Sequence, residues 1–184
     1  MSHTALIIID VQNDYFEGGN MVLHQPDFAA QQAKALLSTW RKKHWPIIHI
    51  QHEATNPDMP FMQPGTEGQR IHSSVLPQEN EIVITKHYPN AYWETTLHET
   101  LQSLDIKELL LCGMMAHMCV SATARAGMER GYSIMIAQDA CATTALPYGD
   151  KTIDASTVHE TALAEVAYFS DITTVDKILT AQTR

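Results

Sequence analysis

The chain predicts a three-layer α/β/α fold built on a six-stranded, mostly parallel sheet, and three observations carry that expectation. Short apolar runs alternate along the whole length with stretches whose apolar residues recur at helical spacing. Runs such as Ala5–Ile9 and Leu109–Leu111 are continuous rather than alternating, which is how a strand buried on both faces reads. The 184 residues show no internal repeat, low-complexity tract or linker, so a single domain over residues 1–184 with a sizeable core is expected. Repeated strand–helix units joined by right-handed crossovers put helices on both faces of such a sheet.

The elements follow in order. Ala5–Asp10 is an apolar run ending in an acid, the first strand. Asp27 caps a helix whose inner face is Ala30, Ala33, Leu36, Leu37 and Trp40, running to about His44. Pro46–Gln51 forms the second strand. Residues 53–77 hold Pro57, Pro60, Pro64, Gly65, Gly68 and Pro77 without a period and read as a long loop, a length that is usually functional inside a compact domain. Glu81–Thr85 is the third strand, Thr96–Leu104 a helix, and Glu108–Cys112 the fourth strand, bounded by Gly113. The alanine-rich stretch Cys119–Arg130, closed by Gly131, is helical. Tyr132–Ala137, the helix Ile153–Ala167, the sixth strand Asp171–Thr174 and a terminal helix over Val175–Ala181 complete the chain.

Composition narrows the function. Twelve Lys and Arg against 21 Asp and Glu give a formal charge of −9, which argues against nucleic acid or an anionic membrane as partner. The three cysteines, Cys112, Cys119 and Cys141, form no Cys-x-x-Cys metal pattern and no paired framework. Ala5–Ile9 is too short for the apolar region of a signal peptide, and no run approaches the ~18 apolar residues of a membrane span. A cytoplasmic protein with reduced thiols is therefore expected.

In open α/β sheets, ligands bind beyond the carboxyl ends of the strands. That rule gathers Asp10, His49, His52, Lys86, Cys119 and Asp139. Within this set Asp10, Lys86 and Cys119 are chemically coherent: an acid, a base and a thiol together make a self-activating nucleophile. A thiol where a helix begins lies near unpaired N–H groups and the positive end of the helix dipole, both of which favour thiolate. Taken singly, each has a plainer reading. Cys119 reads as a small buried hydrophobe, Lys86 as a snorkelling strand-end lysine, and Asp10 as a cap. His49 and His52 form a conceivable metal pair, but three residues apart on a strand they point to opposite faces.

Four segments resemble the isochorismatase-like cysteine hydrolase family: Asp10-Val-Gln-Asn-Asp-Tyr-Phe16, Thr85-Lys-His-Tyr-Pro-Asn-Ala-Tyr-Trp-Glu-Thr95, Cys112-Gly-Met-Met-Ala-His-Met-Cys-Val120 and Asp139-Ala-Cys-Ala-Thr143. The resemblance implies a Rossmann-like sheet with strand order 3-2-1-4-5-6 and a catalytic triad of Asp10, Lys86 and Cys119. It implies a cis peptide between Met114 and Met115, with the Met115 and Cys119 amides as an oxyanion hole. The implied chemistry is hydrolysis of a small molecule's amide, lactam or carbamoyl C–N bond through a thioester, with no cofactor and a homo-oligomer of two or four chains. Nicotinamidases of this family hold a metal through an Asp-x-His motif, but His52-Glu-Ala54 stands in its place here. By motif position Phe16, Tyr92, Trp93, His117 and Met118 line the pocket, and Gln12 and Asn13 organise the first loop. Met59, Phe61 and Met62 either cover the pocket or reach a neighbouring subunit. Two other function classes stand beside this one: a vinyl-ether hydrolase of isochorismate type using Asp10 as acid, and a binding module that has lost catalysis.

Overall fold

The computed structural model describes residues 4–181. Its main sheet runs β3-β2-β1-β4-β5-β8, from β1 (Thr4–Ile9), β2 (Ile47–His52), β3 (Ile82–Lys86), β4 (Glu108–Met114), β5 (Ser133–Ala142) and β8 (Asp171–Thr173). Every neighbouring pair is parallel, which is the expected order with β8 as the sixth strand. Strand alternation divides the core. Leu6 and Ile8 pack with Leu110, Cys112 and the inner face of α1 (Pro26–Lys43), together with Val175 and Ile178 of α5 (Val175–Ala181). Ala5, Ile7 and Ile9 face the opposite layer, with Leu97 and Leu101 of α2 (Leu97–Ser103), Ala124 of α3 (Ser121–Glu129), and Leu163 and Val166 of α4 (Ala155–Val166). Among the described residues no helix is long and apolar enough to cross a membrane.

Several boundaries differ from expectation. Helix α1 starts with Pro26 at its first position after a left-handed Gln25, so Asp27 lies in the first turn rather than capping it. Strand β5 continues to Ala142, which places Asp139 inside the strand, where its Oδ1 accepts the Val175 N–H at 2.9 Å at the start of α5. A small antiparallel hairpin, β6 (Leu146–Tyr148) and β7 (Lys151–Ile153), turns over Gly149 and Asp150; it takes in Ile153, which was expected to open the following helix. Cys119 does not open a helix. It sits in a π-helical turn, Ala116–Val120, ahead of α3.

Gly113 sets the exit of β4. It has φ of 125°, and a Cβ there would lie 1.9 Å from the Ile9 carbonyl oxygen. The β4–β5 register also shifts between Leu111 and Gly113. Gly113→Ala therefore destabilises the fold by about 2–3 kcal/mol or more, measured by denaturant unfolding; an unchanged midpoint would contradict this.

His49 and Glu81 secure the far side of the sheet. The Glu81 carboxylate takes two bonds from the Arg41 guanidinium at 2.6 and 2.8 Å, and one from His49 Nε2 at 2.9 Å. Burial alone would raise its pKa, but Arg41, the Gln78 N–H and His49 bring it down from 4.5 to about 2. A depressed carboxylate adds stability above its unfolded value and loses it as pH falls through the folded one. Unfolding followed from pH 5 to 2 therefore shows a decline that Glu81→Gln flattens.

Candidate functional site

The site forms where β1, β3 and the π turn end. Asp10 terminates β1 in a left-handed conformation, φ 50°, which an aspartate tolerates better than most residues. Its N–H is held by the Ile50 carbonyl at 3.0 Å and its own carbonyl accepts from Gln12 at 2.9 Å. Lys86 closes β3, and both side chains are fully buried. The Lys86 ammonium lies 2.6 Å from Asp10 Oδ2 and donates to Cys119 Sγ at 3.3 Å. Two strand ends and the π turn thus converge on one another.

The third proton of the ammonium goes to a residue that motif reading left aside. Lys86 Nζ lies 3.1 Å from His52 Nδ1. His52 and Lys86 are paired in register at the tips of β2 and β3. The two histidines of β2 therefore serve different partners, His49 turning to Glu81 and His52 to Lys86. The signal lay in the pattern itself, because apposed tips of neighbouring parallel strands send their side chains to one face.

The charges resolve as follows. Burial works against the Lys86 ammonium, but the Asp10 carboxylate and Cys119 outweigh it and raise its pKa, so it stays protonated. Burial, followed by the Asp10 charge, pushes the Cys119 thiol up to about 12, against the lowering effect of Lys86. The expected resting thiolate is corrected accordingly. Cys119 is 5% exposed, and desolvation of a thiolate exceeds what one ammonium returns. His52 is held down to about 4, first by burial and then by the neighbouring ammonium, and is neutral.

The surrounding loops are fixed by two buried polar side chains. The Gln12 amide donates to the carbonyls of His52 at 2.8 Å and Gln69 at 2.6 Å, and accepts the His52 N–H at 2.7 Å. Asp14 accepts from Asn20 and Met62, and Asn13 holds the Glu67 carbonyl. Met62 is fully buried, with Phe61 against Tyr15, so these two loop residues pack inward. Thr123 on α3 accepts the Ala91 N–H, tying down the segment after Lys86.

The expected pocket residues divide. Phe16 is buried and stacks on His72, ring centroids 3.7 Å apart. His117 and Met118 flank Cys119 on the π turn; His117 is half-buried and hydrogen-bonded to Thr143, and Met118 is exposed. Trp93 is 55% exposed and meets Tyr88 edge-on. Tyr92 is corrected to a packing residue. Its ring lies against Tyr132 and His98 under the Arg130 guanidinium, at the far end of α3 from Cys119. Tyr15, not singled out beforehand, does belong here: burial, and then nearby Cys119 and Asp10, raise its phenol well above the ordinary value. The Met114–Met115 peptide is cis, as expected. Among the described residues no group of three or more His, Cys, Asp or Glu is arranged to hold a metal ion.

The family model described as Isochorismatase domain matches residues 4–177. The chain is 48% identical over 88% of its length, and 89% of the relative's, to the uncharacterized isochorismatase family protein YddQ of Bacillus subtilis. It is 36% identical to the secreted isochorismatase effector Isc1 of Verticillium dahliae, covering 89% of this chain and 83% of that one. The crystal structure described as a putative isochorismatase hydrolase from Oleispira antarctica superposes with a TM-score of 0.92 at 37% identity, over 96% of each chain.

Removing Lys86 leaves a buried carboxylate without its counter-ion. Lys86→Met is expected to cost about 3–5 kcal/mol of unfolding free energy, and the double variant with Asp10→Asn less than the two single losses together. Additive losses in urea unfolding would show that the pair is not coupled.

Proposed function

The chain belongs to the isochorismatase family of hydrolases, and within that family we propose that it hydrolyses a C–N bond of a small amide, lactam or carbamoyl compound through a thioester on Cys119. One observation carries the reading: a single buried ammonium bonds both the carboxylate and the sulfur. A thiol with a pKa of about 12 is no free nucleophile at neutral pH, so it needs a base in place when it attacks. Asp10 fills that role. As sulfur attacks the carbonyl carbon, the thiol proton passes to Asp10, and the amides of Met115 and Cys119 receive the developing oxyanion. Collapse breaks the C–N bond while Asp10 gives its proton to the departing nitrogen. Water then attacks the thioester, Asp10 takes its proton, and the thiol leaves with that proton restored. Lys86 remains charged throughout. It pairs with the Asp10 carboxylate and stabilises negative charge on sulfur.

Phe16, Trp93, His117 and Met118 border the substrate in this reading, with Tyr15 added and Tyr92 removed. The same reading carries a small-molecule substrate, a homo-oligomer of two or four chains and a cytoplasmic setting, although the Verticillium relative is described as secreted. That relative's name also supports a second reading, cleavage of the isochorismate vinyl ether with Asp10 as the acid and no covalent step.

A panel of primary amides, lactams and carbamoyl compounds, with released ammonia or amine measured, tests the choice. The proposal predicts turnover of at least one C–N compound and a loss of about 10³-fold or more in Cys119→Ala. Isochorismate cleavage that survives Cys119→Ala, with every C–N compound inert, would establish the second reading instead.

A further inference from the structure

We propose that His52 is the positioning residue of the site: by accepting the third proton of the Lys86 ammonium, it fixes the other two on Asp10 and Cys119. The inference rests on the thiol hydrolase reading above and adds a residue to it. A lysine ammonium is a rotor with three equivalent donors on a flexible stem. Two acceptors leave it free to pivot about the line between them, and a third removes that freedom. Here the three acceptors are Asp10 Oδ2 at 2.6 Å, His52 Nδ1 at 3.1 Å and Cys119 Sγ at 3.3 Å. Because a protonated lysine only donates, Nδ1 must be the unprotonated nitrogen and the ring must carry its proton on Nε2.

A second observation shows that His52 is itself held. The Gln12 amide spans the His52 peptide units, accepting its N–H and donating to its carbonyl, while its remaining proton goes to Gln69. Gln12 is fully buried, two residues beyond Asp10 on the same strand exit. One side chain therefore ties the tip of β2 to the tip of β1. The register of β2 with β3 then delivers the imidazole to Lys86. The groups that face His52 are Lys86 at the end of β3 and His87 just after it, Asp10 at the end of β1, and Glu53 just beyond β2. A neutral ring beside that ammonium is consistent with its burial and lowered pKa.

The test reads the thiol directly and needs no known substrate. Alkylation of Cys119 by iodoacetamide is followed from pH 6 to 10.5, with peptide mapping to separate it from buried Cys112 and Cys141. His52→Leu removes the acceptor, His52→Gln moves it one methylene outward, and His52→Asn keeps an oxygen at the same bond distance as Nδ1. At pH 8 the Leu and Gln variants are expected to react about tenfold more slowly than the parent protein. His52→Asn recovers most of that loss. Equal rates in Asn and Gln variants, whether both slowed or both unchanged, overturn the inference; this comparison holds even if the Leu variant does not fold. Lys86→Met separates the two levels, because it removes the charge that favours thiolate. If it slows alkylation while His52→Leu does not, positioning by His52 alone fails. If it does not slow alkylation, the nucleophile reading fails and this inference with it.

Discussion

A lysine with no exposed surface is the constraint from which the rest follows. An ammonium taken out of water costs several kcal/mol unless each of its protons finds an acceptor. Lys86 meets that demand with groups from three separate elements: Asp10 from β1, His52 from β2 and Cys119 from the π turn. The fold can bury this charge only if the three tips arrive together, so the stability of the core and the geometry of the site are one requirement. An arginine would not serve. Its planar fork matches a carboxylate from one side, whereas these acceptors surround a point.

The loops answer the same need. The segment after β2 has little periodic apolar character, and it is held instead by buried polar side chains. Gln12 spends both amide protons and its oxygen on backbone groups of His52 and Gln69, and Asp14 fixes Met62 and Asn20. A Cβ at Gly68 would strike the Asp14 carboxyl, 2.2 Å away, so the close approach of the two loops depends on that glycine. Order in the loops around Cys119 therefore comes from satisfied hydrogen bonds more than from hydrophobic packing. That suits a site where the distance between acid and sulfur sets the chemistry.

Much of this was legible in the residues. Continuous apolar runs marked the strands, and the acid, amine and thiol at their ends marked the site, because both signals are local. What escaped depended on surroundings. The charge state of Cys119 follows from its burial, which a helix-start argument cannot include. Tyr92 shares a segment with Lys86, but the turn after β3 sends it under Arg130 instead of toward the thiol. The β6–β7 hairpin is short and largely exposed, so it has no buried face to leave a period; only Tyr148-Gly-Asp-Lys151 hinted at it. His52 was visible as a residue at a strand end, yet its role required knowing that β2 and β3 are in register at that point.

Thiol catalysis requires that Cys119 bond covalently to the substrate, and intact-protein mass spectrometry during turnover of a C–N substrate, quenched in acid, reads that bond. The expected result is a mass increase equal to the acyl fragment, mapped to the Cys119 peptide and removed by hydroxylamine. Product formation with the protein mass unchanged under every quench, or an adduct on another residue, would contradict it.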